Sequence, residues 1–318
     1  MGFSRGVAVV FAVLFALASV CTARQESSEG HLYPQFYDRS CPKAKEIVRS
    51  VVAQAVAREA RMAASLVRLH FHDCFVKGCD ASVLLDSSPS IVSEKLSNPN
   101  RNSIRGFDVV DEIKAALERE CPSTVSCADI LALAARDSTV LTGGPNWEVP
   151  LGRRDSRSAS LSGSNNNIPA PTTPSPPSSP SSSSRASTSS TSSPSQVGSH
   201  TIGMSRCTSF RQRLYNQTGN GLADFTLDAS YAAQLRTRPA GFDNSYFRNI
   251  LAARGLLSSD QVLYTRSAAT RRLVRLYARN NAHFLRQFAR SMIKMSAISP
   301  LTGARGEIRR NCRRVNNS

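Results

Sequence analysis

The 318-residue sequence lacks the motifs of several common enzyme classes. It has no glycine-rich nucleotide-binding fingerprint and no Gly-x-Ser-x-Gly nucleophile elbow, so it gives no support for nucleotide-dependent or serine-hydrolase chemistry. Stretches that alternate apolar and polar residues with period two are few, which argues against an extensive β-sheet. The fold is therefore expected to be mainly α-helical.

Apolar residues recur at helical spacing in six stretches, and glycine and proline at 143–145 give a stop signal after the fourth. The predicted helices are 44–60, 61–75, 106–120, 128–140, 242–253 and 271–295.

Long apolar runs are absent except at residues 6–20. Arg5 precedes this run and small residues follow it up to Ala23, a pattern typical of a signal peptide. The run is too short for a membrane span. The sequence therefore predicts a signal peptide at 1–23 and an exported, soluble mature chain at 24–318.

Acidic residues are in deficit: 23 Asp and Glu stand against 40 Lys and Arg, which gives a formal net charge of +17. The excess is mostly spread arginine, and no basic cluster is interleaved with stacking aromatics, so nucleic acid is not a predicted partner. Two interpretations stay open. The charge attracts an exported protein to polyanions such as cell-wall pectin, or it only aids solubility.

Residues 172–195 have an unusual composition, since 22 of these 24 residues are Ser, Thr or Pro. Such a segment cannot bury enough apolar surface to offset the cost of ordering it. We expect a disordered, partly extended loop. One hypothesis is a shifted reading frame or a mis-spliced gene model, which sequencing of the transcript would test.

The block 68–82 carries the strongest chemical signal. Arg68 and His72 are four residues apart, so a helix would place them on one face, one turn from each other. A guanidinium beside a neutral imidazole suits cleavage of a peroxide O–O bond. His72 would move the proton from the near oxygen to the leaving oxygen, while Arg68 would stabilise the developing charge.

Oxygen donors follow this pair closely, and hard oxygen ligands gathered in one loop predict a calcium site. The alternative is a polar turn without an ion. The candidate ligands are the side chains of Asp73, Asp80 and Ser82 and the backbone carbonyls of Val76 and Gly78.

Cys74 and Cys79 bracket the same loop and could close it as a disulfide. With His70 and His72 they could instead bind zinc. Their spacing fits no standard zinc signature, and the export signal favours oxidised cysteines.

The sequence resembles the secretory plant peroxidases, the class III haem peroxidases, from about residue 33 to residue 315. The resemblance implies a haem-peroxidase fold in which two helical subdomains enclose a haem and disulfides staple the chain. The matching segments are 35–42, 68–82, 121–129, 149–156, 198–203 and 255–261.

The resemblance also implies a disulfide framework, and Asp129 and Arg153 are expected to form a structural ion pair without a catalytic role. The family's partner for Cys207 falls near Arg238, where this chain has no cysteine, so Cys207 is expected to be unpaired. The implied disulfides are Cys41–Cys121, Cys74–Cys79 and Cys127–Cys312.

On the proximal side, the resemblance implies that His200 is the axial ligand of the haem iron and that Asp260 accepts its other ring proton. No Cys-x-x-Cys-His motif occurs, so the haem is expected to be non-covalent haem b. Residues 236–243 replace a longer loop of the family that carries ligands of a second calcium. Thr201 and Asp243 survive as candidate ligands, and we expect this proximal calcium to be weak or absent.

On the distal side, the resemblance implies that Asn100 holds His72 through its second ring nitrogen and that Glu94 links this network to the calcium loop. Phe71 would shield the iron, and Pro169 marks the backbone point where aromatic donors dock.

The activity implied by the resemblance is reduction of hydrogen peroxide with one-electron oxidation of phenolic donors, as in lignin formation, phenolic coupling, peroxide removal and oxidative stress. The rival is an exported, inactive binding or structural relative, or a defective gene product, that does not hold haem firmly. We expect a monomer in the cell wall or apoplast, with glycosylation at Asn216 and a weaker candidate at Asn316.

Overall fold

α-Helices dominate the computed structural model, which describes residues 30–169, 198–203, 226 and 241–316. Among these residues, β structure is limited to isolated bridges such as Tyr33–Leu151. The helices are α1 (Ala44–Arg58), α2 (Arg61–Cys74), α3 (Phe107–Glu120), α4 (Cys127–Leu141), α5 (Leu161–Asn167), α6 (Ser245–Leu251), α7 (Ser258–Thr265), α8 (Ala268–Arg279) and α9 (Asn281–Ser296). Three 3₁₀ turns are Ser82–Leu84, Glu94–Leu96 and Gly198–Thr201. The mainly α-helical prediction is confirmed.

Helix α4 is the centre of the first helical group. It begins at a capped end, where Ser126 Oγ accepts a hydrogen bond from Asp129 N at 3.1 Å. Its alanine- and leucine-rich sequence is buried almost all round, from Cys127 to Ala135 without a break. Helices α1 and α2 both pack along it. Helix α2 is therefore held firmly, and it carries the Arg68 and His72 pair.

The second group is formed by helices α6 to α9, whose core is aromatic. Phe247, Phe284 and Phe288 are fully buried. The ring of Phe242 lies edge-on to that of Phe288, with ring centroids 4.7 Å apart. Burial of these large rings stabilises this group, since each aromatic side chain removes a large apolar surface from water.

The ion pair between Asp129 and Arg153 is confirmed as a structural link. Arg153 Nη1 lies 2.7 Å from Asp129 Oδ1, and both side chains are fully buried. The guanidinium also donates from Nε and Nη2 to the carbonyl of Ser296, at 3.0 and 2.7 Å. One buried cation thus joins α4 to the last residue of α9.

The prediction of one helix over 271–295 is wrong. Asn280 has extended backbone angles, φ −135° and ψ 90°, and divides the segment into α8 and α9. Its side-chain oxygen accepts a hydrogen bond from His283 N at 2.9 Å, so it caps α9. Asparagine competes with helical hydrogen bonding in this way, which a continuous apolar pattern does not reveal.

Helices α5 and α7 were not predicted, because the polar sequence of α5 has no apolar face and α7 is short. All three implied disulfides are present: Cys41–Cys121, Cys74–Cys79 and Cys127–Cys312. No helix among the described residues is long and apolar enough to cross a membrane. The predicted signal peptide, the 172–195 segment, Cys207, Asn216 and residues 236–240 lie outside the described residues.

Candidate active site

Helix α2 presents Arg68 and His72 from adjacent turns, as predicted. The Arg68 guanidinium is fixed by the loop before α3. Its Nη1 donates to Ser103 O at 2.9 Å, and its Nη2 donates to Pro99 O at 2.9 Å and to Ser103 Oγ at 2.8 Å. A cation held by three hydrogen bonds is preorganised to stabilise negative charge.

His72 is held by Asn100, as the resemblance implied. Nδ1 of His72 lies 2.5 Å from Oδ1 of Asn100, and Nδ2 of Asn100 donates to Glu94 O at 2.9 Å and to Ser164 Oγ at 3.1 Å. Because the amide nitrogen of Asn100 faces two acceptors, the amide oxygen must face His72, and it accepts a hydrogen bond from the imidazole. The imidazole therefore carries its proton on Nδ1 and keeps a lone pair on Nε2.

The environment keeps this imidazole neutral. Burial, together with the charge of Arg68, lowers the pKa of His72 to about 3, against a smaller opposing effect of the Asn100 hydrogen bond. Only 4% of the residue is exposed. At neutral pH, His72 is thus a base with its free nitrogen fixed in direction.

Phe71 and Pro169 occupy different surroundings. The Phe71 ring lies next to His72, with centroids 5.7 Å apart, and packs on Phe75 at 4.4 Å. Pro169 is exposed and follows α5 directly. The structure therefore brings Phe71 to the site and leaves the role of Pro169 a prediction.

His200 lies in the 3₁₀ turn Gly198–Thr201, and its Nδ1 is 2.9 Å from Oδ1 of Asp260, as the resemblance implied. Asp260 is 2% exposed, whereas 45% of the His200 side-chain surface is accessible. Burial acts to lower the pKa of His200, but the charge and hydrogen bond of Asp260 outweigh it, so the pKa is raised. The bond to Asp260 directs the lone pair of Nε2 away from the carboxylate.

The His200 turn lies close to α2. The charge of Arg68 acts to lower the pKa of His200 as well as that of His72. Gly203 has a φ of +97°, and a Cβ added to it would lie 2.7 Å from Cβ of Ala64 on α2. A glycine is needed here because the turn approaches α2 so closely.

The donor set fits a haem. His200, bound to a carboxylate, can offer a nitrogen ligand for iron, and His72 with Arg68 combines a neutral base with a fixed cation. Both histidines have Nδ1 engaged, and among the described residues no group bonds to either Nε2.

The predicted calcium loop gathers buried oxygen atoms. Asp73 Oδ2 accepts from Ala81 N at 2.9 Å, and Asp80 Oδ1 accepts from Ser82 N at 3.0 Å. The hydroxyl of Ser82 and Oε2 of Glu94 are buried without a well-formed hydrogen bond within the described part of the chain. Ser82 Oγ nevertheless lies close enough to Glu94 and Asp80 to lower the pKa of both.

Burial raises the pKa of all three carboxyl groups. That of Asp73 lies well above its ordinary value because burial is reinforced by the charge of Asp80, and that of Glu94 is raised to about 7. Burial likewise raises the pKa of Asp80. Three buried acids, of which Asp80 raises the pKa of the other two, are suited to a divalent cation that would compensate their charge.

The two carbonyl candidates both accept hydrogen bonds from the protein. Val76 O accepts from Asn167 Nδ2 at 3.2 Å and Gly78 O accepts from Asp80 N at 2.9 Å. Gly78 has a φ of +132°, and an added Cβ would lie 2.3 Å from Ser299 O. The loop can therefore turn here only with glycine.

The zinc interpretation of this region is wrong. His70, Cys74 and Cys79 lie together, but the two sulfurs are 2.05 Å apart in a disulfide and offer no thiolate. His70 is fully buried, and its Nε2 lies 2.8 Å from Ser296 Oγ.

The two candidates for a proximal calcium are in contact. Thr201 Oγ1 donates to Asp243 Oδ1 at 3.1 Å, and Ser245 donates to Asp243 from both N and Oγ at 2.8 Å. The carboxylate thus has protein donors on both oxygens. The expectation of a weak or absent proximal calcium stays a prediction.

Three residues at the site escaped prediction: Ser103, which holds Arg68, Ser164, which supports Asn100, and Tyr246. The Tyr246 hydroxyl lies 3.0 Å from Oδ1 of Asp260. Serine and tyrosine side chains carry no pattern that distinguishes these positions, so only the fold reveals them.

A helical chain that sets a fixed guanidinium and a neutral imidazole against a carboxylate-bound imidazole has the architecture of a haem-dependent oxidoreductase. Residues 48–280 match the family model described as Peroxidase. Peroxidase 72 of Arabidopsis thaliana is 58% identical over 336 residues, covering 100% of both chains. Peroxidase 15 and Peroxidase 49 of the same plant are 59% and 60% identical, covering 98% and 92% of this chain and 98% and 93% of their own.

The chain belongs to the peroxidase family, and within it to the plant secretory peroxidases. It is a peroxidase, an oxidoreductase, and nothing in the described residues favours the inactive alternative. The family implies haem and, typically, calcium. The match to Peroxidase 72 runs over 336 residues, more than the 318 of this chain, so that relative has positions without a counterpart here.

Proposed function

We propose that the chain holds haem b between His72 and His200 and reduces hydrogen peroxide while it oxidises phenolic donors by single electrons. The observation that carries the proposal is that both imidazoles have the same tautomer, each with Nδ1 tied to an oxygen and with the lone pair on Nε2. Haem, when bound, supplies the iron that takes up the oxidising equivalents of peroxide.

The distal residues act on the peroxide protons. Nε2 of His72 takes the proton from the near oxygen and returns it to the far oxygen, which leaves as water. Arg68 stabilises the negative charge on the leaving oxygen, because its guanidinium is already fixed by Ser103 and Pro99. Asn100 keeps the accepting nitrogen of His72 turned towards the peroxide.

The proximal residues are His200 and Asp260. Asp260 accepts a hydrogen bond from Nδ1 of His200, which makes Nε2 a stronger donor to a metal. Phenolic donors are proposed to approach near Pro169, which is exposed.

The distal calcium is proposed to bind the oxygens of Asp73, Val76, Gly78, Asp80 and Ser82, with Glu94 behind them. Support comes from the two buried oxygens without a well-formed hydrogen bond and from the raised pKa of the three acids. Because Asp73 follows His72 directly and Glu94 O binds Asn100, this ion would stiffen the loop that orients the base.

An anionic polysaccharide is the proposed partner, and export to the cell wall the proposed location. Helices α8 and α9 each present a line of exposed cations on the side away from their buried residues. The lines consist of Arg272, Arg275 and Arg279 on α8 and of Arg286, Arg290 and Lys294 on α9.

Acidic residues are scarce in the sequence around these cations. Between residues 244 and 306 the sequence contains one acid, Asp260, which is buried against His200. None of the six cations forms an ion pair with another part of the chain that the structure describes. Successive members are about 4.5–6 Å apart along each axis, and guanidinium groups bind carboxylates in a bidentate manner. A linear polyuronate such as pectate fits this repeat.

The proposal is tested by loading the full-length chain with haem b. We expect a Soret band and oxidation of guaiacol by hydrogen peroxide. His200→Ala should weaken haem retention, and added imidazole should restore the band. A wild-type chain that folds but takes up no haem would establish the inactive alternative.

A further inference from the structure

Asp260 receives hydrogen bonds from two side chains at the same oxygen. Nδ1 of His200 lies 2.9 Å and the hydroxyl of Tyr246 3.0 Å from Oδ1, while Oδ2 accepts from Leu257 N at 3.0 Å. A carboxylate oxygen can only accept, so both the imidazole and the phenol donate to it.

The fold fixes this arrangement. Tyr246 is in the first turn of α6 and is 6% exposed, and Asp260 is in the first turn of α7 and is 2% exposed. The Tyr246 ring stands edge-on to His200, with centroids 6.0 Å apart and an interplanar angle of 87°. Phe247 packs against its other side at 4.9 Å. The phenol is therefore a constant partner of Asp260 and not a surface group that samples water.

We propose that Tyr246 is a positioning residue that competes with His200 for Oδ1 of Asp260 and thereby limits how strongly His200 donates to the haem iron. This inference rests on the proposed role of His200 as iron ligand.

The physical reason is that the imidazole of His200 and the phenol of Tyr246 both draw on the negative charge of Oδ1 of Asp260. A carboxylate that pulls on the Nδ1 proton gives the imidazole anionic character and makes Nε2 more basic. The phenol draws part of the same charge to itself, so the pull on His200 is weaker. Removing only the hydroxyl should strengthen the bond from His200 to Asp260. A more basic axial ligand then favours ferric over ferrous iron.

The decisive variant is Tyr246→Phe, which keeps the ring and its packing. In the haem-loaded full-length protein we expect a lower ferric/ferrous midpoint potential by spectroelectrochemistry. We also expect a higher iron–imidazole stretching frequency in the resonance Raman spectrum of the ferrous form. Neither readout depends on turnover.

Matched variants separate this effect from a loss of packing. Tyr277→Phe removes a hydroxyl from a buried tyrosine of the same aromatic cluster, which packs on Phe247 and Phe284, and should leave both readouts unchanged. Site-specific incorporation of 3,5-difluorotyrosine at position 246 makes the phenol a stronger hydrogen-bond donor. It should raise the midpoint potential and lower the iron–imidazole stretching frequency. This variant tests the inference if Tyr246→Phe does not fold.

The inference is overturned if haem-loaded Tyr246→Phe has the wild-type potential and stretching frequency, a result that leaves the proposed function intact. It is also overturned if Tyr246→Phe causes the same shift in an Asp260→Ala background, since the effect would then bypass the carboxylate. A wild-type chain without a Soret band overturns the proposed function and this inference together.

Discussion

The amide oxygen of Asn100 lies 2.5 Å from Nδ1 of His72, and the amide nitrogen is occupied on its other side by Glu94 O and Ser164 Oγ. The direction of the amide, and with it the tautomer of His72, is therefore set by the two acceptors that bind the amide nitrogen. Asn100→Leu removes the acceptor while it keeps a similar volume. We expect peroxide cleavage, followed by stopped-flow absorbance, to slow by roughly 10–100-fold, the usual cost of losing a supporting partner.

His72→Ala provides the reference for this series. It removes the base itself, so we expect the Soret band to persist and peroxide cleavage to fall by about 10²–10⁴-fold, the usual worth of a positioned base. If His72→Ala formed the first oxidised species at the wild-type rate, the assigned role of His72 would be wrong. If Asn100→Leu slowed the reaction as much as His72→Ala, Asn100 would do more than orient the ring.

Calcium should stabilise the protein more at high pH than at low pH. The folded-state pKa of Glu94 is raised to about 7, above its ordinary value of 4.5, and those of Asp73 and Asp80 are raised too. Without the ion, these acids lower the free energy of unfolding as pH rises from about 4.5 through 7, because they must ionise while buried. We expect calcium, compared with a chelator, to raise the melting temperature more at pH 8 than at pH 5.

Asp80→Asn is the control for the calcium prediction. It removes one ligand charge and should reduce the calcium-dependent gain at pH 8 while it narrows the difference between the two pH values. An equal gain at pH 5 and pH 8 in the wild-type protein would contradict the prediction.

His70 should make the fold sensitive to acid. Burial, with a smaller contribution from the charge of Arg153, lowers the pKa of His70 to about 3, against an ordinary value of 6.5. The unfolded chain therefore binds the proton first, and stability that is complete above pH 6.5 is lost as pH falls towards 3. Between pH 6.5 and 4 this amounts to at most about 3.5 kcal/mol, at about 1.4 kcal/mol per pH unit.

His70→Gln, which can still hydrogen-bond Ser296, should reduce this dependence in urea unfolding measured at pH 4 and pH 7. His72 contributes in the same direction, so the slope should shrink but not vanish. A variant with the wild-type difference between the two pH values would show that His70 is not the group that titrates.

The cationic lines on α8 and α9 should bind polyuronate because of where their side chains lie, and not only because they add to the net charge of the protein. Arg286→Glu with Arg290→Glu should lower the salt concentration that elutes the protein from immobilised polygalacturonate, and guaiacol oxidation should be retained. The matched control is Lys43→Glu with Arg58→Glu, which changes the net charge equally at residues already paired with Glu120 and Glu112. If both double variants eluted at the same salt concentration, net charge alone would explain the binding. Tighter retention of the wild-type protein on DNA than on polygalacturonate would favour nucleic acid as the partner.

Local chemistry identified the Arg68 and His72 pair and the loop of oxygen donors from the sequence, whereas Asn100 and Glu94 came from the resemblance to a family. The spacing of Arg68 and His72 defines a helix face by itself, and the oxygen ligands follow within ten positions. His200 and Asp260 are 60 residues apart, and no periodicity relates them, so only the resemblance to a family brought them together. Asn280 and Tyr246 were missed because a capping asparagine and a buried phenol act through contacts that the fold creates.

The disulfide between Cys127 and Cys312 spans 185 positions and ties the first residue of α4 to the chain's last segment. A single backbone cut anywhere between these cysteines, the 172–195 run included, leaves two pieces in one covalent molecule. Limited proteolysis would then nick the protein without separating His72 from His200. The nick would be visible on a gel only after reduction, and an oxidised sample could keep both halves of the site together.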